Sequence, residues 1–268
     1  MSTPIGNLGD MSHRAVEVLS SAAIVIAEDT RHSRRLLDHY SITTRLSSYH
    51  EHNEAKETPR LISRLRSGES IALISDAGTP LISDPGSRLV AAALAADVRV
   101  VPIPGPSAVM AALVASGLAL DRFVFFGFPP RKGRERANMM AEIVGSKVTV
   151  VLFEAANRVA ATLQALVEAG AGERDAVVAR ELTKQFEEFK RGTVADLANL
   201  YASADPKGEV VLMIGGADES AITEAELEVA AKTLRAAGKS PRDVMEHLVV
   251  ALGAPRNAAY RIAHESEA

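Results

Sequence analysis

Cysteine is absent from the 268 residues, and so is tryptophan. The first absence excludes disulfides, thiolate zinc sites and a cysteine nucleophile, and it suits a reducing, cytoplasmic setting. The second, with aromatics at only 4%, argues against extensive stacking on nucleic-acid bases. Excess positive charge is missing too. The formal net charge is −4, so any contact with nucleic acid rests on local patches and shape. No uncharged apolar run approaches the roughly 18 residues that a membrane helix needs. Met1-Ser2-Thr3-Pro4 has neither the basic start nor the apolar stretch of a secretion signal. No Gly-x-x-x-x-Gly-Lys-Ser/Thr loop occurs, and no Gly-x-Gly-x-x-Gly follows a strand. A nucleotide gripped by its phosphates is therefore disfavoured.

What is present is a chain with 47% hydrophobic residues, long enough for two modest domains with real cores. Its pattern divides in three: 1–119, 120–217 and 218–268. In the first part, apolar runs predict strands over 24–27, 71–74 and 98–101. Amphipathic spacing predicts helices over 12–21, 31–39, 53–66, 87–96 and 107–116. This alternation argues for a parallel α/β sheet with helices on its faces. The second part, another α/β region, predicts strands over 123–126, 148–153, 176–180 and 210–214. The third predicts helices over 224–237, 242–252 and 257–264, punctuated by Gly238-Lys239-Ser240-Pro241 and Gly253-Ala254-Pro255.

The loop Ser75-Asp76-Ala77-Gly78-Thr79-Pro80-Leu81-Ile82-Ser83-Asp84-Pro85-Gly86 is the richest segment. It follows an apolar strand and precedes a helix, and it is about twice the usual two to six residues of such a turn. Its glycines admit a ligand to the backbone, and its prolines stiffen the approach. Asp76 and Asp84 read as residues that cap turns and hold the loop. Pro4 to Asp10, Ala27 to Arg31 and Pro102 to Ala108 fall on the same strand edge, where open α/β sheets bind ligands. Loops with Asp, Thr, Ser and free backbone groups suit a zwitterionic ligand that carries an adenosine and no phosphate.

Several of these segments together resemble one family. They are Thr3-Pro4-Ile5-Gly6-Asn7-Leu8-Gly9-Asp10, Ala27-Glu28-Asp29-Thr30-Arg31, Ser48-Tyr49-His50-Glu51-His52-Asn53-Glu54, the 75–86 loop and Pro104-Gly105-Pro106-Ser107-Ala108. Arg180-Glu181-Leu182-Thr183-Lys184 and Lys207-Gly208-Glu209 continue the match. The family is bacterial ribosomal RNA small subunit methyltransferase I, of the tetrapyrrole-methylase-like class of S-adenosylmethionine enzymes. The resemblance implies two α/β domains with the cofactor between them, a homodimer, and methylation of a cytidine ribose 2′-oxygen in 16S ribosomal RNA. There are three departures. Relatives carry Tyr-Glu-Ser/Ala-Pro-His-Arg where this chain has Phe153-Glu154-Ala155-Ala156-Asn157-Arg158. Gly127-Phe128-Pro129-Pro130 replaces Gly-Phe-Leu-Pro. Relatives also have an apolar strand ahead of Thr-Pro-Ile-Gly, so a first sheet short of one strand is expected, with a start codon assigned too late.

By resemblance and loop position, Pro4 and Gly6 shape the floor of the cofactor pocket. Gly78, Thr79 and Ile82, with Asp76 beside them, present groups to the methionine end. Ser107 and Ala108, at a helix N-terminus, suit its carboxylate, and Phe153 packs near the adenosine. Candidates for taking the hydroxyl proton are Glu154, Glu181 and Lys184. Lys184 is alternatively a charged partner of a phosphate or developing oxyanion. Arg31, Arg131, Lys132, Arg134, Arg136 and Arg180 are the candidate RNA cations. His50-Glu51-His52 reads as a polar loop rather than a metal site. Two alternatives stay open: carbon methylation of a tetrapyrrole on the same fold, and a non-catalytic RNA-binding assembly factor.

Overall fold

A computed structural model describes residues 1–203, 205–217, 224–252, 254 and 256–264. The chain forms two compact units, Met1–Gly215 and Gly216–Ala268.

The larger unit contains two sheets. In the first, β1 (Ile24–Ala27) lies between β2 (Leu46–Ser48) and β3 (Ile71–Leu73), all parallel. All four β1 residues are buried, as expected of a central parallel strand covered on both faces. Val25 and Ala27 pack with Leu19, Leu37 and Ile74 on one side. Ile24 and Ile26 pack with Tyr49, Leu61 and Leu89 on the other. The helices of this part of the chain are α1 (His13–Ser21), α2 (Thr30–His39), α3 (Glu54–Arg66) and α4 (Ser87–Ala95), followed by α5 (Ala108–Val114), which packs on the second sheet. Side-chain caps start three of them: Ser12 accepts from Ala15 N–H, Asp29 from Arg31 N–H, and Ser107 from Met110 N–H.

The strand expected over 98–101 does not form. Val100 and Val101 are 41% and 52% exposed, and no ladder includes them. Met1 and Ser2 lie between β3 and the segment leading to Ile103. The Met1 ammonium donates to Leu73 O, and Ser2 N–H donates to Ile103 O. Thr3 makes an isolated antiparallel bridge to Gly78. An apolar run becomes a strand only where a neighbour offers a ladder, and the isolated contacts of Ser2 and Thr3 do not form one with it.

The second sheet is mixed, in the order β4-β5-β8-β6-β7. Its strands are β4 (Phe123–Phe125), β5 (Thr149–Ala155), β6 (Asp175–Arg180), β7 (Glu188–Thr193) and β8 (Glu209–Ile214). Only β4 and β5 pair in parallel. Side chains alternate between its faces. Val150, Leu152, Val178 and Leu212 face α6 (Arg134–Gly145), α7 (Val159–Leu166) and α8 (Val194–Tyr201). Val151, Val177, Val211 and Met213 face the other way and meet Ile5, Val109 and Leu113. That second face puts the N-terminal loop and α5 against the sheet.

In the smaller unit, α9 (Glu224–Ala236), α10 (Pro241–Val250) and α11 (Arg256–His264) bury Leu227, Val244, Leu248 and Ile262 together. Ser240 and Asp243 form a capping box on α10, with Pro241 in the first turn. Gly253 and Pro255, expected as punctuation, lie outside the described residues.

Candidate functional site

The loops at the carboxyl ends of the first sheet are stitched together. Thr3 and Gly78 exchange backbone hydrogen bonds at 2.9 and 3.0 Å. The Thr3 hydroxyl donates to Ser75 O at 3.2 Å. The Thr79 hydroxyl lies 2.9 Å from that of Ser2 and donates to Pro106 O at 3.2 Å. Leu81 and Ser83 hold positive φ angles of 72° and 67°, an uncommon conformation for residues with a side chain. The strained turn brings the end of the loop back towards the second sheet.

Between these loops and the second sheet lies a cavity of about 410 Å³, within the size range of small-molecule sites. Ile5, Ile82, Val109, Phe153, Leu182 and Val211 give it an apolar lining, and Phe128 stands at its side. The Phe128 and Phe153 rings are 5.4 Å apart. Its polar lining is acidic: Glu28, Asp76 and Asp84 come from the first-sheet loops, and Glu154 and Glu209 from the second sheet. No Lys, Arg or His is among the described residues that line it. Phosphate groups would meet repulsion here, whereas a ligand of net positive charge would be favoured.

The expected cofactor residues Asp76, Gly78, Thr79, Ile82, Ser107, Ala108 and Phe153 all line this cavity. Pro4 and Gly6 stand outside its wall, and Ile5 between them lines it instead. Gly6 serves a close approach: a Cβ there would come within 2.4 Å of the Lys184 side chain.

The three expected proton acceptors are all engaged. The Glu154 side chain is completely buried, 3.2 Å from Arg158 Nε, and it accepts from the Thr162 hydroxyl at 2.6 Å. Arg158 donates onward to Pro129 O at 2.6 Å. Arg136 donates to Pro130 O at 3.2 Å and to Thr162 Oγ1 at 3.1 Å. This closed ring fastens the Phe128 loop to β5 and α7. Asn157, standing where relatives carry histidine, is exposed, and the ring forms without it. Glu181 and Glu209 both bind Lys184 Nζ, at 2.9 and 3.0 Å. The hydrogen bond from Lys184 holds the Glu181 carboxyl below its ordinary range. Burial pulls the Lys184 pKa down, but its bonds to Glu181 and Glu209 outweigh this and raise it. A lysine so held keeps its proton and is a poor base. Gly208 (φ 87°) makes room for this cluster, since a Cβ there would lie 2.1 Å from Glu181 Oε1.

Sequence reasoning assigned no role to Glu28 and read Asp84 as a residue that holds the loop, yet both carboxylates face the cavity. Burial raises both, and each is raised further by neighbouring acids. Asp84 reaches about 6, with Glu28 and Asp76 adding to burial against the Ser75 hydroxyl. Asp76 has a structural task as well, accepting Asp29 N–H at 3.0 Å. The signal for Glu28 was its place directly after β1.

Among the candidate RNA cations, Arg131 and Lys132 are exposed on the loop leading into α6 and Arg134 is exposed at its first position. Arg31 is exposed and paired with Asp29 at 2.9 Å. Arg136 departs from expectation, because the ring around Thr162 occupies its guanidinium. Arg180 bonds Glu188 at 2.7 Å and lines a separate hollow with Tyr201 and Lys207.

Comparison with known proteins adds an independent measure. The family of Tetrapyrrole (Corrin/Porphyrin) Methylases matches residues 2–198. Ribosomal RNA small subunit methyltransferase I of Mesorhizobium japonicum is 52% identical over 229 residues, 85% of this chain and 78% of that protein. The protein of the same name from Synechocystis sp. is 45% identical over 271 residues, covering this whole chain and 97% of its own length. Among solved structures, uroporphyrin-III C-methyltransferase from Thermus thermophilus, complexed with S-adenyl homocysteine, superposes with a TM-score of 0.56. The two are 16% identical, and the match covers 78% of this chain and 93% of that one.

Proposed function

The chain belongs to the ribosomal RNA small subunit methyltransferase I family of the tetrapyrrole methylases, and from that premise we propose that it methylates the ribose 2′-oxygen of one cytidine in 16S ribosomal RNA. The methyl donor is S-adenosylmethionine. The observation that carries this reading is the acidic, cation-free lining of the cavity. At neutral pH S-adenosylmethionine bears a sulfonium, an ammonium and one carboxylate, so its net charge is positive. The residues present fit it. Phe128 and Phe153 offer aromatic faces to an adenine, the Gly78–Thr79 segment offers backbone groups, and Glu28, Asp76 and Asp84 oppose the cationic end.

When bound, the sulfonium supplies an already electrophilic methyl group. What the protein adds is alignment and the exclusion of water, which can contribute up to about 7–11 kcal/mol. A ribose hydroxyl is a weak acid and needs a proton acceptor near the pH of operation. Of the cavity's carboxylates, Asp84 suits that role best. It has no ion pair among the described residues, and its pKa is raised to about 6. Glu154, Glu181 and Lys184 instead hold the walls in shape. The exposed cations Arg131, Lys132 and Arg134 approach the RNA from the α6 side. Following the resemblance, the enzyme acts as a homodimer in the cytoplasm; none of its described helices is long and apolar enough to cross a membrane.

The test uses purified protein with methyl-labelled S-adenosylmethionine, offered small ribosomal subunits or uroporphyrinogen. Label is expected in ribose of the small-subunit RNA. Label in the tetrapyrrole alone would favour carbon methylation. Binding to subunits without transfer would favour an assembly factor.

A further inference from the structure

Next to the acidic cavity is a second hollow of about 350 Å³, edged by Arg180, Lys190 and Lys207, with Leu200 and Pro206 giving apolar contact. Its charge is opposite in sign to that of the first. Three cations face two acids, Glu188 and Asp205, which leaves one positive charge in excess. Glu188 is shared between Arg180 at 2.7 Å and Lys190 at 2.9 Å. Lys207 has no ion pair among the described residues. Polyanions are drawn to such a place, and phosphate contacts with lysine supply much of a protein's grip on RNA.

A second observation is independent of charge. Tyr201, at the end of α8, lines this hollow and is only 7% exposed. Its hydroxyl has no hydrogen-bond partner. Buried polar groups are nearly always bonded, so an unpartnered hydroxyl in the wall of a hollow is a group waiting for a ligand. Arg180 and Glu188 are the charged groups that face it.

The two hollows share one stretch of chain. Pro206 and Lys207 line the second, and Gly208 and Glu209 line the first. Lys207 and Gly208 are adjacent, their Cα atoms about 3.8 Å apart, so the hollows meet at this point of the chain and a strand of RNA entering one passes the rim of the other. We propose that the second hollow holds a nucleotide neighbouring the methylated one. Lys190 and Lys207 hold its phosphate, and the Tyr201 hydroxyl bonds its sugar or base. This subsite rests on the RNA reading given above.

The experiment measures binding of the full-length protein to small ribosomal subunits across a range of salt concentrations, with calorimetry of S-adenosylmethionine alongside. Replacing both lysines (Lys190→Gln with Lys207→Gln) should weaken subunit binding about tenfold or more. It should also lower the slope of log affinity against log salt by between one and two. Tyr201→Phe should weaken binding about threefold to tenfold with an unchanged slope. Its melting temperature should not fall, because the hydroxyl has no partner to lose. Affinity for S-adenosylmethionine should be unchanged in all variants. Subunit affinity and salt slope equal to wild type in the lysine variant would overturn the subsite, as would Tyr201→Phe binding like wild type. Cytidine monophosphate that binds the hollow and is not displaced by subunits would overturn it too, in favour of a free nucleotide. Wild-type protein that ignores subunits would sink the RNA reading and this subsite together; a binding wild type with unaffected variants sinks the subsite alone.

Discussion

The two walls of the main cavity carry the same kind of residue and treat it in opposite ways. On the second-sheet side, Glu154 is tied to Arg158 and Thr162, and Glu181 and Glu209 are tied to Lys184. On the first-sheet side, Glu28, Asp76 and Asp84 have no ion pair among the described residues, and burial raises both Glu28 and Asp84. A carboxylate held by a cation contributes shape. A carboxylate left without one in a half-buried cavity contributes negative potential and a place for a proton. The contrast separates the residues that build the cavity from those that meet its contents.

The strongest way to break this contrast is to place a cation in the acidic wall. Gly78→Arg should abolish S-adenosylmethionine binding by calorimetry while circular dichroism stays native, because Gly78 lines the cavity. Neutralising the free carboxylate comes next. Asp84→Asn should lower methyl transfer by about 10²- to 10⁴-fold, the usual contribution of a general base, and leave the melting temperature no lower than wild type. The tethered carboxylate should behave in the reverse manner. Glu154→Ala leaves Arg158 without its buried partner, so stability should fall by about 3 kcal/mol, measured by urea unfolding. Affinity for S-adenosylmethionine should then weaken through the loosened Phe128 loop.

The smallest expected effect is in pH dependence. The folded protein raises Asp84 from 3.8 to about 6. Between those values it binds the proton more tightly than the unfolded chain. This group's contribution is therefore most favourable below 3.8 and is lost as pH climbs through about 6. Glu181 is lowered, so its contribution runs the other way and is lost only as acid protonates it. Melting temperatures across pH 4 to 7, roughly the window between these limits, should show a component that disappears in Asp84→Asn.

In the first sheet β1 and β3 could be read directly, whereas β2 (Leu46–Ser48), short and partly polar, could not. Ile24–Ala27 is a short apolar run buried on both faces, and Ser12, Asp29 and Ser107 announce their helices by capping chemistry. The loops of the cavity were legible for the same reason, since Gly, Pro, Asp and Thr between a strand and a helix leave few alternatives. Partnership across the chain was not legible. Arg136 looks like one of a basic cluster, yet its partners Pro130 and Thr162 lie 6 and 26 residues away. Glu154 looks like a free acid until α7 brings Thr162 to it. The run over 98–101 has strand composition but no ladder to join. The strand Glu188–Thr193 was missed because an edge strand rich in charge lacks the apolar signal of a central one.

The central claim is that the cavity selects an adenosine ligand by its positive charge. Calorimetry of the purified protein with S-adenosylmethionine and, separately, with ATP tests it most directly. Saturable binding of the first and none of the second is predicted. Comparable or tighter binding of ATP would contradict it.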